Sequence, residues 1–239
     1  MKNKFWQWVK NEITGGNVLR LDGIIAEESW LFDEVTPKQF REELNSCNGD
    51  IELYINSPGG DVFAASQIYT MLMEYKGNVT VKIDGIAASA ASVIAMAGTV
   101  TAMSPTSNMM IHNPWTGTIG DAEEMRTCAE FLDEIKESII NAYELKTGLS
   151  REKISELMTA ETWMNAKKAL ELGFCDKILF ENEEVETDTV TSNAIMFSPL
   201  AVQNSIMKKI RDKKFSKNKK TGNQIDGKQL YKRHSLLPH

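Results

Sequence analysis

Gly85-Ile86-Ala87-Ala88-Ser89-Ala90-Ala91-Ser92, entered from the alternating run Val79-Thr80-Val81-Lys82-Ile83, reads as a strand that turns and gives way to a helix of small residues. The helix is expected over Gly85 to Gly98. Upstream, Ile51 to Asn56 alternates as a strand, Ser57-Pro58-Gly59-Gly60 breaks it, and Asp61 to Tyr75 carries Ala64, Ala65, Ile68, Met71, Leu72 and Tyr75 at helical spacing. Further back, Asn17 to Ile25 is strand-like, and a helix opens near Thr36-Pro37, with Phe40 and Leu44 on one face. Downstream, Thr99 to Met103 and Met109 to His112 are short strands. Asp121 to Leu145 is a long helix striped by Met125, Cys128, Leu132, Ile135, Ile139 and Tyr143, Gly148 closes it, and Ser150 caps another. Asp176 to Phe180 is a last strand. Strands alternating with helices predict an α/β fold of repeated strand–helix units with right-handed crossovers.

Three segments are expected: an N-terminal stretch over 1–16, a folded domain over 17–184, and a tail over 185–239 that is acidic at its start and basic beyond. Residues 206–239 hold eleven Lys/Arg and two Asp/Glu, a net of +9, so the total of -6 leaves -15 on the remainder. An acidic body with a basic tail is not the pattern of a nucleic-acid-binding domain. The polar, charged tail is expected to be poorly ordered. The run Gly85 to Gly98 is too short to span a bilayer, and no signal peptide is expected in Met1 to Lys10. Cys47, Cys128 and Cys175 are far apart and odd in number, which reads as a reduced, cytoplasmic protein. No metal or nucleotide site is expected, and no cofactor.

A serine hydroxyl attacks a carbonyl only when a base removes its proton. Ser89 sits where a strand meets a helix, between alanines that leave room for a substrate; Ser92, one turn on, points into packing. Serines among alanines also serve simple helix packing, so the partner decides. His234 and His239 lie in the tail, which leaves His112 as the candidate base, at a strand end where catalytic side chains commonly sit in α/β folds. Gly59 and Gly60 directly after a strand let backbone approach a ligand. The amides of Gly60 and Ala90 would form a two-donor oxyanion hole.

These residues resemble the Clp protease proteolytic-subunit family. The likeness is carried by Asn56-Ser57-Pro58-Gly59-Gly60, by Gly85 and Ala87-Ala88-Ser89, and by Met110-Ile111-His112-Asn113-Pro114. It continues through Gly117 and Gly120, Lys146-Thr147-Gly148, and Ala169-Leu170-Glu171-Leu172-Gly173-Phe174-Cys175-Asp176, covering about residues 17–180. The resemblance implies a crotonase-like fold with a long handle helix, here Asp121 to Leu145. It implies a serine endopeptidase in stacked homo-oligomeric rings, a heptamer or double heptamer, with Ser89 as nucleophile and His112 as base. Gly59 and Gly117 would contact the peptide, and Asn113 to Gly120 would be a strand lining the cleft. Possible partners are a hexameric unfoldase ATPase of the AAA+ class, or capsid and scaffold proteins; no nucleic acid and no membrane are expected.

The chain departs from the family pattern in three places. The triad aspartate falls on Glu161, with Asp176 and Asp84 as alternatives. The spacing from Ser89 to His112 is two residues shorter than in typical bacterial members. Met1 to Gly16 has no counterpart to the pore-forming N-terminal segment, and the tail beyond 185 is foreign to the family. The last departure points to the phage branch, whose members mature capsid heads; the proteolytic subunit of an ATP-dependent Clp protease is the alternative. An acyl-CoA hydratase of the same fold, a Ser–Lys enzyme using Lys82, and a catalytically silent scaffold are further alternatives.

Overall fold

In the computed structural model the chain divides into two units, Met1–Glu184 and Val185–His239. The residues described are 4–10, 16–25 and 37–181, all within the first unit. The expected tail and the Thr36 cap lie outside the described residues. In chain order the elements are β1 (Trp6–Lys10), β2 (Asn17–Asp22), α1 (Pro37–Ser46), β3 (Ile51–Ser57), α2 (Val62–Met73), β4 (Val79–Ala88) and α3 (Ala90–Ala95). There follow β5 (Val100–Met103), β6 (Asn108–Ile111), α4 (Ala122–Thr147), α5 (Arg151–Thr159), β7 (Thr162–Asn165), α6 (Ala166–Glu171) and β8 (Lys177–Ile178).

The sheet runs β1-β2-β3-β4-β5-β8, with β6 joined to β4 and β7 joined to β6. All pairings are parallel except β1 with β2 and β6 with β7. Alternation produces this sheet directly: in β3 the side chains of Ile51, Leu53 and Ile55 go into the core while Glu52 and Tyr54 do not. Helix α2 covers it with Ala64, Ala65, Ile68, Met71 and Leu72, and Asp61 caps that helix by accepting from Ala64 N–H at 2.7 Å. Within the expected N-terminal stretch, Trp6–Lys10 adds β1 to the edge of the sheet.

The decisive stretch differs from expectation. Gly85 to Ala88 is not the first turn of a helix; it extends β4, and α3 begins only at Ala90. The ladder between β3 and β4 slips: Ile55 faces Ile83, but Ser57 faces Ala87, so Asn56 alone stands opposite three residues of β4. Gly85 packs against Asn56 within that bulge: a Cβ there would lie 2.4 Å from Asn56 Oδ1 and displace that side chain. The bulge lets one strand serve two neighbours. Thr80–Ile83 pairs with β5, whereas Ile86–Ala88 pairs with β6.

Helix α4 opens on a capping box between Asp121 and Glu124 and ends at Gly148. Its stripe is buried only in its later part, at Ile135, Ile139 and Tyr143; Met125 and Phe131 are half exposed. Among the described residues no helix is long and apolar enough to cross a membrane.

Candidate active site

Ser89 is the residue between β4 and α3, with φ 53° and ψ -127°. A non-glycine residue held there costs about 1–3 kcal/mol, which surrounding contacts must offset. Those contacts are present on both sides of the residue. The Ser89 N–H donates to Met110 O at 2.9 Å, and the Ser89 carbonyl accepts from Ser92 N–H at 2.9 Å and from the Ser92 hydroxyl at 2.5 Å.

The pairing that fixes the turn also delivers the histidine. Ala88 lies beside Met110 in the β4–β6 ladder, and His112 follows two residues later. Its Nε2 stands 2.8 Å from Ser89 Oγ. For the serine to donate along this contact the ring must carry its proton on Nδ1. Among the described residues no hydrogen bond or ion pair to Nδ1 is formed.

Glu161 is in register for that role but turned elsewhere. The β6–β7 ladder pairs Ile111 with Thr162, so the next step of the register sets His112 opposite Glu161. Glu161 has left the ladder, at φ 46°, and its exposed carboxylate accepts from Trp163 Nε1 at 3.3 Å. The alternative acids are engaged at other points of the fold. Asp176 Oδ2 accepts from Lys146 Nζ and from Thr101 N–H, both at 2.6 Å, and Asp84 pairs with Arg20 at 3.0 Å. Lys82 is tied to Glu52 at 2.8 Å, on the outward face of β4.

A cavity of about 240 Å³ opens beside the serine. Gly60, Ser89, Ala90 and His112 contribute to its wall. The orientation of Gly60 follows from its bridge to Ile25. Ile25 N–H donates to Gly59 O and Asp61 N–H donates to Ile25 O, so the flanking peptides serve Ile25. In an extended chain the Gly60 N–H then faces the opposite side, as strand alternation requires. Gly59 does not line the cavity. It lies against the turn itself, at φ 100°, with room for no side chain: a Cβ would sit 2.7 Å from Ala88 O and 2.8 Å from Ser89 Cβ.

The expected cleft strand over 113–120 is not formed. That segment is irregular, and among the described residues no strand lies alongside to pair with it. Pro114, Trp115 and Thr116 border the cavity while Gly117 stands clear of it, with nothing within 4 Å of where its Cβ would be. Apolar side chains of Phe63, Val93, Phe131, Leu132, Ile135 and Ile139 form much of the remaining wall, which Asp61 and Tyr143 also join. Sequence reading placed Leu132, Ile135 and Ile139 on a core stripe; that the stripe also walls the cavity is a tertiary fact without a local signal.

A protein-family model described as Clp protease matches residues 32–182 of this chain. The ATP-dependent Clp protease proteolytic subunit of Porphyromonas gingivalis is 35% identical over 137 residues, 56% of this chain and 62% of that protein. The protein of the same name in Bacteroides fragilis is 34% identical over 134 residues, 55% of this chain and 65% of its own length. The ATP-dependent Clp protease proteolytic subunit 2 of Thermobifida fusca is 35% identical over 138 residues, 57% and 68% of the two chains. The chain thus spans under two thirds of the length of the first two of these relatives.

Proposed function

This chain belongs to the Clp protease family, and from that membership we propose that it is a serine endopeptidase acting through an acyl-enzyme on Ser89. The observation that carries the reading is the 2.8 Å contact between Ser89 Oγ and His112 Nε2 at a strained turn. As Ser89 Oγ attacks the scissile carbonyl, Nε2 takes its proton. The carbonyl oxygen becomes an oxyanion and accepts from the Gly60 and Ala90 N–H groups. The imidazolium then protonates the leaving amine, and water deprotonated by the same nitrogen hydrolyses the ester. The apolar wall formed by Val93, Leu132, Ile135 and Ile139 suits an apolar side chain next to the scissile bond. The unpaired backbone of 113–120 offers an edge along which an extended peptide can lie.

Glu161 supplies the third group in this reading. It stands opposite His112 in the register, and the 3.3 Å bond to Trp163 is a long one to break when the side chain turns. The test compares wild type with Glu161→Gln on a fluorogenic peptide carrying leucine before the scissile bond. Wild type hydrolyses it, and the variant loses about 10²–10⁴ in kcat, as when a triad carboxylate becomes an amide. Unchanged kcat in the variant removes Glu161 from the role. No hydrolysis by folded wild type favours the silent scaffold instead.

Assembly into homo-oligomeric rings is supported by the early part of α4, where Met125 and Phe131 leave apolar surface for a second copy. The relatives' names favour work as the proteolytic subunit of an ATP-dependent Clp protease, with an AAA+ unfoldase as partner. The head-maturation reading, with capsid or scaffold proteins as substrates, is favoured by Trp6–Lys10, which lies along the sheet as β1 rather than free as a pore loop. Degradation of a folded protein that requires an added Clp ATPase and ATP separates the two.

A further inference from the structure

We propose that Tyr143 and Ser92 are positioning residues: a buried hydroxyl relay that runs from helix α4 to the Ser89 carbonyl and aims the Ala90 N–H at the oxyanion. The inference rests on the serine-peptidase reading above and extends it to two residues that act through the Ser89 peptide rather than on the reacting atoms.

The direction of the relay follows from counting protons. The Ser92 hydroxyl has one proton, and it goes to the Ser89 carbonyl at 2.5 Å. The Tyr143 hydroxyl, 2.7 Å from Ser92 Oγ, must therefore be the donor of their bond. Ser92 is fully buried and Tyr143 is 1% exposed, its ring edge-on to Phe174 at a centroid distance of 5.5 Å. Burial holds the phenol protonated far above its ordinary range, so the donor persists at any working pH.

What the relay controls is one peptide group. The Ser89 C=O and the Ala90 N–H belong to the same planar unit and point in opposite directions, so fixing the oxygen fixes the N–H. Hydrogen bonds accepted by the oxygen also polarise the N–H on the far side. The left-handed turn at Ser89 persists only while its neighbours over-determine it. Met110 O holds the peptide before Ser89, and the relay holds the peptide after it. Volume alone does not call for this arrangement. Phenylalanine at 143 and alanine at 92 would keep nearly the same shape, whereas these two hydroxyls, 51 residues apart in sequence, satisfy each other in the core.

Tyr143→Phe, Ser92→Ala and the double variant, each the loss of oxygen alone, test the relay with the same leucine peptide and with a peptide boronate. The boronate adduct places an oxygen at the oxyanion position. Each single variant is expected to lower kcat about tenfold with KM within about twofold, less than the loss from deleting an oxyanion donor outright. Boronate affinity should fall by the same factor, and the double variant should be no worse than the poorer single one, because the two act in series. Variants that keep wild-type kcat and boronate affinity while melting earlier would reduce the pair to core packing and overturn the proposal. Wild-type protein that neither hydrolyses the peptide nor binds the boronate would instead bring down the peptidase reading, and the relay with it.

Discussion

Ser89→Ala is expected to abolish peptide hydrolysis, with a loss on the order of 10⁵–10⁶ in kcat, and to leave the fold intact. The substitution removes one oxygen at the edge of the cavity and leaves the turn's backbone bonds to Met110 and Ser92 in place. His112→Ala should cost nearly as much, because the serine proton then has no acceptor within reach. The double variant should be no slower than either single one: two groups that act on one proton fail as a unit. What remains is the acceleration from the Gly60 and Ala90 donors and from peptide binding, expected to stay well above the rate in water. Equal circular dichroism and melting temperature across the three variants would assign the loss to chemistry. Hydrolysis near the wild-type rate in Ser89→Ala would move the nucleophile elsewhere.

Gly59→Ala is the second substitution with a large expected effect, although the residue does not line the cavity. Its Cβ would fall 2.7 Å from Ala88 O, 2.8 Å from Ser89 Cβ and 3.0 Å from Ala90 N, and these atoms belong to the nucleophile's own turn. None is the end of a flexible side chain, so the turn itself has to move. The φ of 100° adds strain that alanine does not relieve. A stability loss of about 2–4 kcal/mol is expected from overpacking plus backbone strain. Activity should fall further than stability does, by about 10²-fold in kcat, since a shift of 1 Å at the reacting atoms suffices for that. Melting temperature and kcat measured on the same preparation check it. A variant as active and as stable as wild type would mean that the turn is not held against Gly59.

Much of this arrangement was legible in the chain. The alternation of Ile51, Leu53 and Ile55, the spacing along α2 and the cap at Ser150 are local signals, and each produced the expected element. The run from Gly85 to Ala88 defeated local reading because small apolar residues fit a buried strand and a buried helix alike. What decides it is the pairing with Asn108–Met110, some twenty residues on, together with the bulge at Asn56. Strand β1 is likewise defined by its partner β2 rather than by its own pattern.

At the site, the meeting of Ser89 with His112 was expected from sequence and is present at 2.8 Å. Resemblance named Glu161 as the third group; its place in the β6–β7 register and the direction of its side chain toward Trp163 are tertiary facts that the motif did not carry. Tyr143 looked like one more member of a core stripe. Its hydroxyl acquires meaning only when the fold brings Ser92 to it.

The central claim is an activated serine at position 89, and the most direct test is reaction of the intact protein with a fluorophosphonate, followed by peptide mapping of the adduct by mass spectrometry. The account predicts one phosphonyl group per chain, carried by Ser89 and absent from both Ser89→Ala and His112→Ala. Well-folded wild-type protein that takes up no label, or carries it on another residue, would contradict it.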